Sequence, residues 1–135
     1  LLGYTIANDA SARDLQRAGP RGADLYSGKS LNDMSGIGPW IVTADEIAYP
    51  PDLAMKLTVN GQTRQNDRSG TMEWNLDVLL PFVNDRTRLL PGDLVLTGTP
   101  AGVALEDNRF LEPGDEIELE IERIGKLHHR VVAPA

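Results

Sequence analysis

The sequence has 135 residues, 41% hydrophobic and 24% charged, which is the length and composition of one globular domain with its own core. Its formal net charge of −7 argues against nucleic acid or an anionic membrane surface as a partner, because both require a concentrated positive field. It contains no cysteine, which excludes disulfides, thiolate catalysis and cysteine-based zinc sites, and its apolar runs are far shorter than the roughly 20 residues of a membrane span.

The first predicted element is a strand over residues 1–8, which contain β-branched and aromatic side chains. The chain starts at Leu1 rather than at a methionine, and Leu1 already lies in this apolar stretch. We therefore expect a longer natural product, in which the N-terminal part of the fold precedes Leu1. A secretion signal begins with a charged segment followed by an apolar stretch, and the chain does not open with this pattern. The expected location is therefore the cytoplasm.

A short helix is predicted next, with Ser11 and Asp14 at the spacing of a capping box and Gly19-Pro20 as its end. Asp9 lies between the strand and this helix. Its carboxylate has two interpretations: a ligand for a hard cation such as Mg²⁺, or an acceptor of hydrogen bonds from loop amides.

Arg13 and Gln16 are three residues apart on the predicted helix and should share one face. Together with Asp9 they place an anion, a cation and an amide near a helix N-terminus, where a substrate carboxylate would fit. The alternative is a salt bridge between Arg13 and a nearby acid.

Residues 20–39 are rich in Gly, Pro, Ser and Asp, and we predict a long surface loop. Lys29 lies here in "SGKS", but this is not a phosphate-binding loop, because the position that requires the first glycine holds Ala23. Lys29 is either a cation for an oxyanion or a carboxylate, or an ordinary surface lysine.

The remaining pattern is mostly that of strands. Asn60-Gly61 gives a strong hairpin signal between strands 53–59 and 62–66. Apolar residues from Met72 to Val83 recur at helical spacing, and Pro81 should shorten or bend that helix. Further strands are predicted at 40–43, after a turn at Gly38-Pro39, and at 94–98 and 116–122, each after a Pro-Gly-Asp turn. Six or so strands and two short helices predict a mainly β fold with a mixed or antiparallel sheet.

Residues 97–102, "TGTPAG", are a second candidate site. Gly98 and Gly102 allow close backbone approach, and Thr97 and Thr99 add hydroxyls. The segment is either a loop that presents amides and a hydroxyl to a ligand or a tight turn between strands.

Other polar residues near the C-terminus receive no catalytic role. Glu118, Glu120 and Glu122 alternate with apolar residues, which indicates a solvated strand face rather than a metal site. His128 and His129 are adjacent, so they should point to opposite sides of a strand and cannot chelate one ion together.

Five segments, in order, resemble successive blocks of the fumarylacetoacetate hydrolase family. They are "GYTIANDASARDLQ", "GKSLNDMSGIGPWIVTADEI", "VNGQTRQ", "LLPGDLVLTGTPAGV" and "FLEPGDEIELEIERIG". The resemblance covers nearly the whole chain. Residues 1–135 therefore resemble a single domain, the C-terminal portion of the catalytic domain of this family. It implies the family fold, a mixed β-roll with few short helices.

The resemblance also implies roles for the residues already noted. Asp9 would bind the catalytic Mg²⁺ or Mn²⁺, and Arg13 and Gln16 would face the site. Lys29 would contact the substrate and the metal shell. Thr99, with Gly98 beside it, would contact substrate oxygens.

One family feature has no counterpart here. The family's other metal ligands are a Glu-x-Glu pair before the first strand, and Glu118-Leu119-Glu120, although similarly spaced, belongs to a different block. A cation held by Asp9 alone would bind weakly, because hard cations need several oxygens.

The implied activity is metal-dependent hydrolysis of a C–C bond in a β-diketo acid of the acylpyruvate or fumarylpyruvate type, by a homodimer. The alternatives are an oxo-acid decarboxylase, isomerase or lyase on the same fold, or a silent structural module that lacks the upstream ligands.

Overall fold

The computed structural model describes residues 1–19 and 23–133. Within them the mainly β class with few short helices is confirmed. The six strands are β1 Gly3–Asn8, β2 Gly36–Thr43, β3 Ala54–Val59, β4 Gln62–Arg68, β5 Glu116–Ile121 and β6 Gly125–Arg130. The four α-helices are α1 Arg13–Ala18, α2 Leu25–Lys29, α3 Leu76–Asn84 and α4 Ala104–Asp107. Single 3-10 turns lie at Ala44–Glu46 and Ser69–Thr71.

The strands form two sheets. β1 pairs with β2, and the other four strands form a sheet in the order β4-β3-β5-β6. Every pair among the described residues is antiparallel, which is one of the two arrangements that the sequence left open.

The core lies where β1 meets the larger sheet. Ile6 of β1 is 1% exposed and packs with Ile117 and Leu119 of β5. Three further buried side chains complete this cluster: Ile47, Leu53 and Ile124. Burial of each such side chain contributes about 1.5–3 kcal/mol to folding, so β1 and the polar segment that follows it are anchored by this core.

The other face of β5 is solvated, as predicted. Lys126 Nζ lies 3.0 Å from Glu118 Oε1 and 3.3 Å from Glu120 Oε2. Glu122 accepts a hydrogen bond from the Ala54 amide at 3.0 Å. These carboxylates are therefore engaged by surface partners rather than gathered around an ion.

The hairpin at Asn60-Gly61 is confirmed, with left-handed φ angles of 50° and 75° at its two central residues. Its second strand contains a bulge. Leu57 is opposite Gln65 and Thr58 is opposite Thr63, so Arg64 is the extra residue of β4. A bulge changes which side chains share a face.

The predicted capping box at Ser11 is wrong. Helix α1 begins at Arg13, its N-cap is Ala12, and no side chain caps it. The Ala12 amide instead donates to the Gly28 carbonyl at 2.9 Å, so a contact with α2 satisfies this end of the segment. The predicted end of the helix is confirmed at Gly19, and Pro20 lies outside the described residues.

The loop predicted over 20–39 is wrong at residues 25–29, which form α2, and at 36–39, which begin β2; residues 20–22 lie outside the described range. Asp24 caps helix α2 by accepting a 2.9 Å hydrogen bond from the Ser27 amide. Gly28 lets α2 approach α1, since a Cβ built there would lie 2.7 Å from Gln16 Cβ. Strand β2 starts at Gly36, so the turn predicted at Gly38-Pro39 lies inside a strand.

Two further predictions need correction. Helix α3 begins after an Asn75 cap, so Met72 lies outside it, and it continues three residues past Pro81. The strand predicted at 94–98 does not form; these residues belong to neither described sheet, and Leu94 and Leu96 are half exposed. No helix in the described part of the chain combines the length and apolar character needed to span a bilayer.

Candidate active site

The segment after β1 brings two predicted site residues together. Lys29 Nζ donates to Asp9 Oδ2 at 2.5 Å, although the two are 20 residues apart in sequence. The side chains are 31% and 44% exposed, so the ion pair faces solvent. Lys29 is the last residue of α2, and the close packing of α2 on α1 carries it to the end of β1.

The other predicted pair lies on α1. Arg13 Nη1 donates to Gln16 Oε1 at 2.6 Å, which confirms that the two share a face of the helix. The partner of Arg13 is thus an amide and not an acid, so its positive charge is not cancelled within the pair.

A cavity of about 530 Å³ opens beside this segment. It is lined by residues of β3 and β4, of the 10–14 segment and of the 99–111 segment, which contains α4. Its polar lining is strongly cationic, with four arginines and one acid: Arg13, Arg17, Arg64, Arg109 and Asp14. The chain as a whole is acidic, with a formal charge of −7. Positive charge is therefore concentrated where the cavity could receive an anion.

Two of these arginines share an acid at the rim. Arg64 Nη2 lies 3.0 and 3.2 Å from the two carboxylate oxygens of Asp107, and Arg109 Nε donates to Asp107 Oδ2 at 2.6 Å. The pKa of Asp107 lies below its ordinary value, first because the Arg109 amide donates to the carboxylate and then because of the Arg109 side chain. Asp107 remains ionised and orders both guanidinium groups.

The same cavity contains an unsatisfied hydroxyl. Ser11 lines the cavity, and its Oγ is buried without a hydrogen-bond partner among the described residues. Buried polar atoms in native proteins usually have a partner, so this oxygen has unused capacity for a bound group. Ser11 was predicted to cap the helix, but in the structure its side chain forms part of the cavity lining.

Loop 97–102 closes another side. Thr99 lines the cavity and accepts a hydrogen bond from Gln65 Nε2 at 2.8 Å. Gln65 Nε2 also donates to the Pro100 carbonyl at 2.8 Å. Gly98 has a left-handed φ of 114° and lies beside a second cavity of about 420 Å³, which Thr99 also lines.

A histidine without a predicted role supports the end of β1. His129 Nε2 lies 2.6 Å from Asn8 Nδ2, so the neutral ring accepts a hydrogen bond from the amide. His128 points elsewhere and lies 2.8 Å from Glu116 Oε2, which confirms that the two rings face opposite sides. Burial, and next the neighbouring His128, lowers the pKa of His129 below its ordinary value. Asn8, directly before Asp9, is thereby held in place.

The residues suggested by resemblance fit a metal ion only in part. Asp9 offers the carboxylate oxygen that a hard cation prefers, but the described ranges hold no group of three His, Cys, Asp or Glu that could bind one. The described part of the chain does not complete the ligand set.

The structure thus groups Asp9 with Lys29 and Arg13 with Gln16, and gives Arg13 and Thr99 a common cavity, while Gly98 lines the neighbouring one. Sequence analysis gave no role to Arg64 or Gln65, and it set His129 aside with His128. Arg64 and Gln65 had a signal, as the last two residues of the "VNGQTRQ" block.

The family profile described as "Fumarylacetoacetate (FAA) hydrolase C-terminal" matches residues 1–132. Among curated proteins, a 2,4-didehydro-3-deoxy-L-rhamnonate hydrolase of a Sphingomonas species is 40% identical over 97% of this chain and 46% of its own length. A mitochondrial oxaloacetate tautomerase of Bos taurus is 38% identical over 98% of this chain and 42% of its own length. The chain spans slightly less than half the length of these two relatives.

A solved structure shares the fold. The fumarylpyruvate hydrolase of Pseudomonas aeruginosa, in complex with Mn²⁺ and pyruvate, superposes with a TM-score of 0.83 at 30% identity. The match covers 98% of this chain and 55% of that one.

Proposed function

The chain belongs to the fumarylacetoacetate hydrolase family, and from that premise we propose that the protein is a divalent-metal-dependent hydrolase. Its substrate would be a β-diketo acid of the acylpyruvate or fumarylpyruvate type. Addition of water would break the C–C bond between the two carbonyl-bearing units and release pyruvate and a second carboxylic acid.

The observation that carries this proposal is the charge of the 530 Å³ cavity. Four arginines line it against two acids, Asp14 in the lining and Asp107, which bonds Arg64 and Arg109, so the site keeps an excess of positive charge in a chain whose formal charge is −7. Guanidinium groups bind carboxylates through paired hydrogen bonds, so an oxo acid suits this lining better than a neutral molecule.

The relatives support the same substrate class. One is named as a hydrolase of a didehydro-deoxy sugar acid, one as an oxaloacetate tautomerase, and a third was solved with pyruvate and Mn²⁺. Pyruvate and oxaloacetate share the 2-oxo carboxylate group. We infer that this shared group is what the arginine-lined cavity receives.

Each residue then has a binding or orienting task. Arg13, held by Gln16, would pair with the carboxylate of the substrate. Thr99 would donate its hydroxyl proton to a substrate oxygen, and Lys29 would place positive charge where negative charge develops during cleavage. Gly98 would leave the loop backbone open for close approach.

We further propose that Asp9 is one ligand of a Mg²⁺ or Mn²⁺ ion that would supply Lewis acidity when bound. The other ligands would come from outside the described residues. Lys29 already contacts Asp9, so a cation at this carboxylate and the ammonium group would compete for the same oxygen.

Tautomerisation is the second candidate, favoured by the oxaloacetate tautomerase that is 38% identical over 98% of this chain. Both reactions pass through an enol or enolate of an oxo acid, so one binding site could serve either. The difference is whether water is added and a C–C bond is broken.

One assay separates the two candidates. The protein is mixed with Mn²⁺ and acetylpyruvate, and acetate and pyruvate are measured; enol-to-keto conversion of oxaloacetate is followed in parallel by absorbance. Release of both products, lost in Arg13→Met, supports the hydrolase. Oxaloacetate conversion without release of acetate and pyruvate would replace the hydrolase by the tautomerase. If the protein catalyses neither reaction, both candidates are refuted.

A further inference from the structure

The bulge in β4 gives two consecutive residues a common direction. In a regular strand, neighbouring side chains point to opposite faces. Because Arg64 is the extra residue opposite Leu57, Arg64 and Gln65 both line the 530 Å³ cavity. The two side chains reach different parts of the segment that follows residue 96: Arg64 reaches Asp107 at the end of α4, and Gln65 reaches Thr99 and Pro100.

The contact with Pro100 fixes the orientation of the Gln65 amide. A backbone carbonyl can only accept, so the group 2.8 Å from the Pro100 oxygen must be the NH₂ of Gln65. The same NH₂ lies 2.8 Å from Thr99 Oγ1, which must then be an acceptor in that bond. The hydroxyl proton of Thr99 is left to point away from Gln65.

We propose that Gln65 is a positioning residue that holds Thr99 so that its hydroxyl proton is directed to an oxygen of a bound oxo acid. This inference rests on the proposed function for the identity of the ligand. Gln65 itself contacts the loop and acts through Thr99.

The packing of the loop explains why this contact is needed. Gly102 is held tightly, because a Cβ built there would lie 1.9 Å from the Arg64 carbonyl oxygen, and its amide donates to Glu106 Oε2 at 2.9 Å. Gly98, at the other end, has open space around it, with nothing within 4 Å of a built Cβ. Thr99 lies between Gly98, which has open space around it, and Gly102, which is tightly packed. The orientation of Thr99 therefore depends on the hydrogen bonds that Gln65 donates to Thr99 and to Pro100.

The test is a double-mutant cycle between Gln65→Met and Thr99→Val, with pyruvate plus Mn²⁺ as the probe and calorimetry as the readout. Methionine has nearly the length of glutamine but cannot donate. Gln62→Met, an exposed position on the same strand, is the matched control. Hydrogen exchange of the amides in 97–102 is measured on the same proteins.

We expect Gln65→Met to weaken pyruvate binding by about fivefold to tenfold, the size expected for lost hydrogen bonds, and to raise exchange in loop 97–102. In the Thr99→Val background the same change should cost less than about twofold, because the group it positions is gone. Gln62→Met should change neither readout.

Equal losses from Gln65→Met in both backgrounds would overturn the proposal, since Gln65 would then act independently of Thr99. No loss in either background would overturn it as well. If the wild-type protein binds no pyruvate, the proposed function fails, and exchange decides this inference: a rise confined to 97–102 supports the contact, and unchanged exchange refutes it.

Discussion

Lys29 Nζ lies 2.5 Å from Asp9 Oδ2, an ion pair that joins the end of α2 to the segment after β1. Both side chains are substantially exposed, and exposed pairs contribute only about 0–1 kcal/mol to stability. The pair therefore matters more for the placement of two opposite charges next to Asn8 and Ala10, which line the cavity, than for folding, although Asp9 and Lys29 are not themselves among the lining residues.

The first prediction concerns the carboxylate. Asp9→Asn keeps the shape of the side chain but removes its charge. The melting temperature should change little, because the lost pair contributes about 1 kcal/mol or less. Mn²⁺ affinity, measured by calorimetry on the protein with its complete set of metal ligands, should collapse, while Asp85→Asn at the exposed end of α3 should leave it intact. Unchanged Mn²⁺ affinity in Asp9→Asn would remove this residue from the metal site.

The second prediction concerns the ammonium group. Lys29→Met frees Asp9 from its cationic partner, so Mn²⁺ binding should persist or tighten while turnover of acetylpyruvate falls at least about tenfold, as for a lost electrostatic contact in a reaction. Retained Mn²⁺ binding together with reduced turnover would indicate that the charge of Lys29 acts on the substrate. Equal losses of metal binding and turnover would show that Lys29 supports the metal site instead.

The third prediction uses two glycines with similar backbones. Gly102 and Gly92 have φ angles of 103° and 100°, but a built Cβ meets the Arg64 carbonyl oxygen at 1.9 Å only at Gly102, and meets nothing within 4 Å at Gly92. Gly92→Ala should cost the strain of about 1–3 kcal/mol for a left-handed residue. Gly102→Ala should cost clearly more and should raise hydrogen exchange in loop 97–102. Equal unfolding free energies for Gly102→Ala and Gly92→Ala would contradict this prediction and would show that the loop shifts to remove the clash.

The fourth prediction concerns pH. Burial lowers the pKa of His129 in the folded protein, so the unfolded chain binds a proton more readily. The stability gained from neutral His129 is present above its unfolded pKa of about 6.5 and is lost as the pH falls through the lower folded value. His129→Gln keeps an acceptor for Asn8 but cannot titrate. The drop in melting temperature between about pH 7.5 and 5.5 should therefore shrink in this variant.

His128→Gln is the control for that measurement. His128 lies on the other side of β6, beside Glu116, and its removal leaves His129 buried. The pH dependence should remain in this variant. If His129→Gln shows the same drop in melting temperature as wild type, the pH dependence of stability belongs to other groups.

Local signals predicted much of this fold. Asn60-Gly61 fixed a hairpin because few residue pairs accept left-handed φ at both positions, and the Glu118 to Glu122 alternation identified a solvated face. The same logic failed where tertiary contacts replaced local ones. Ser11 does not cap α1: the helix starts one residue later than predicted, with Ala12 as its N-cap, and the Ala12 amide donates to the Gly28 carbonyl, sixteen residues away.

The candidate site shows the same limit. Asp9 and Arg13 stood out as polar residues at a junction and Lys29 as a lysine in a predicted loop, and the resemblance gave them roles. Gln65 and Arg64 acquire a shared direction only through the bulge in β4, which depends on the pairing with Leu57 and leaves no mark in the local sequence. His129 finds Asn8 across 121 positions, a contact that no spacing rule reveals.

The most direct test of the arginine-lined cavity is pyruvate binding in the presence of Mn²⁺, measured by calorimetry for wild type, Arg13→Met and Arg88→Met. Arg13 lines the cavity, whereas Arg88 is exposed and lies outside it. We expect wild type and Arg88→Met to bind pyruvate alike, and Arg13→Met to bind it at least about tenfold more weakly, the cost of a lost charged hydrogen bond. Equal affinities in all three proteins would contradict the assignment of this cavity as the oxo-acid site.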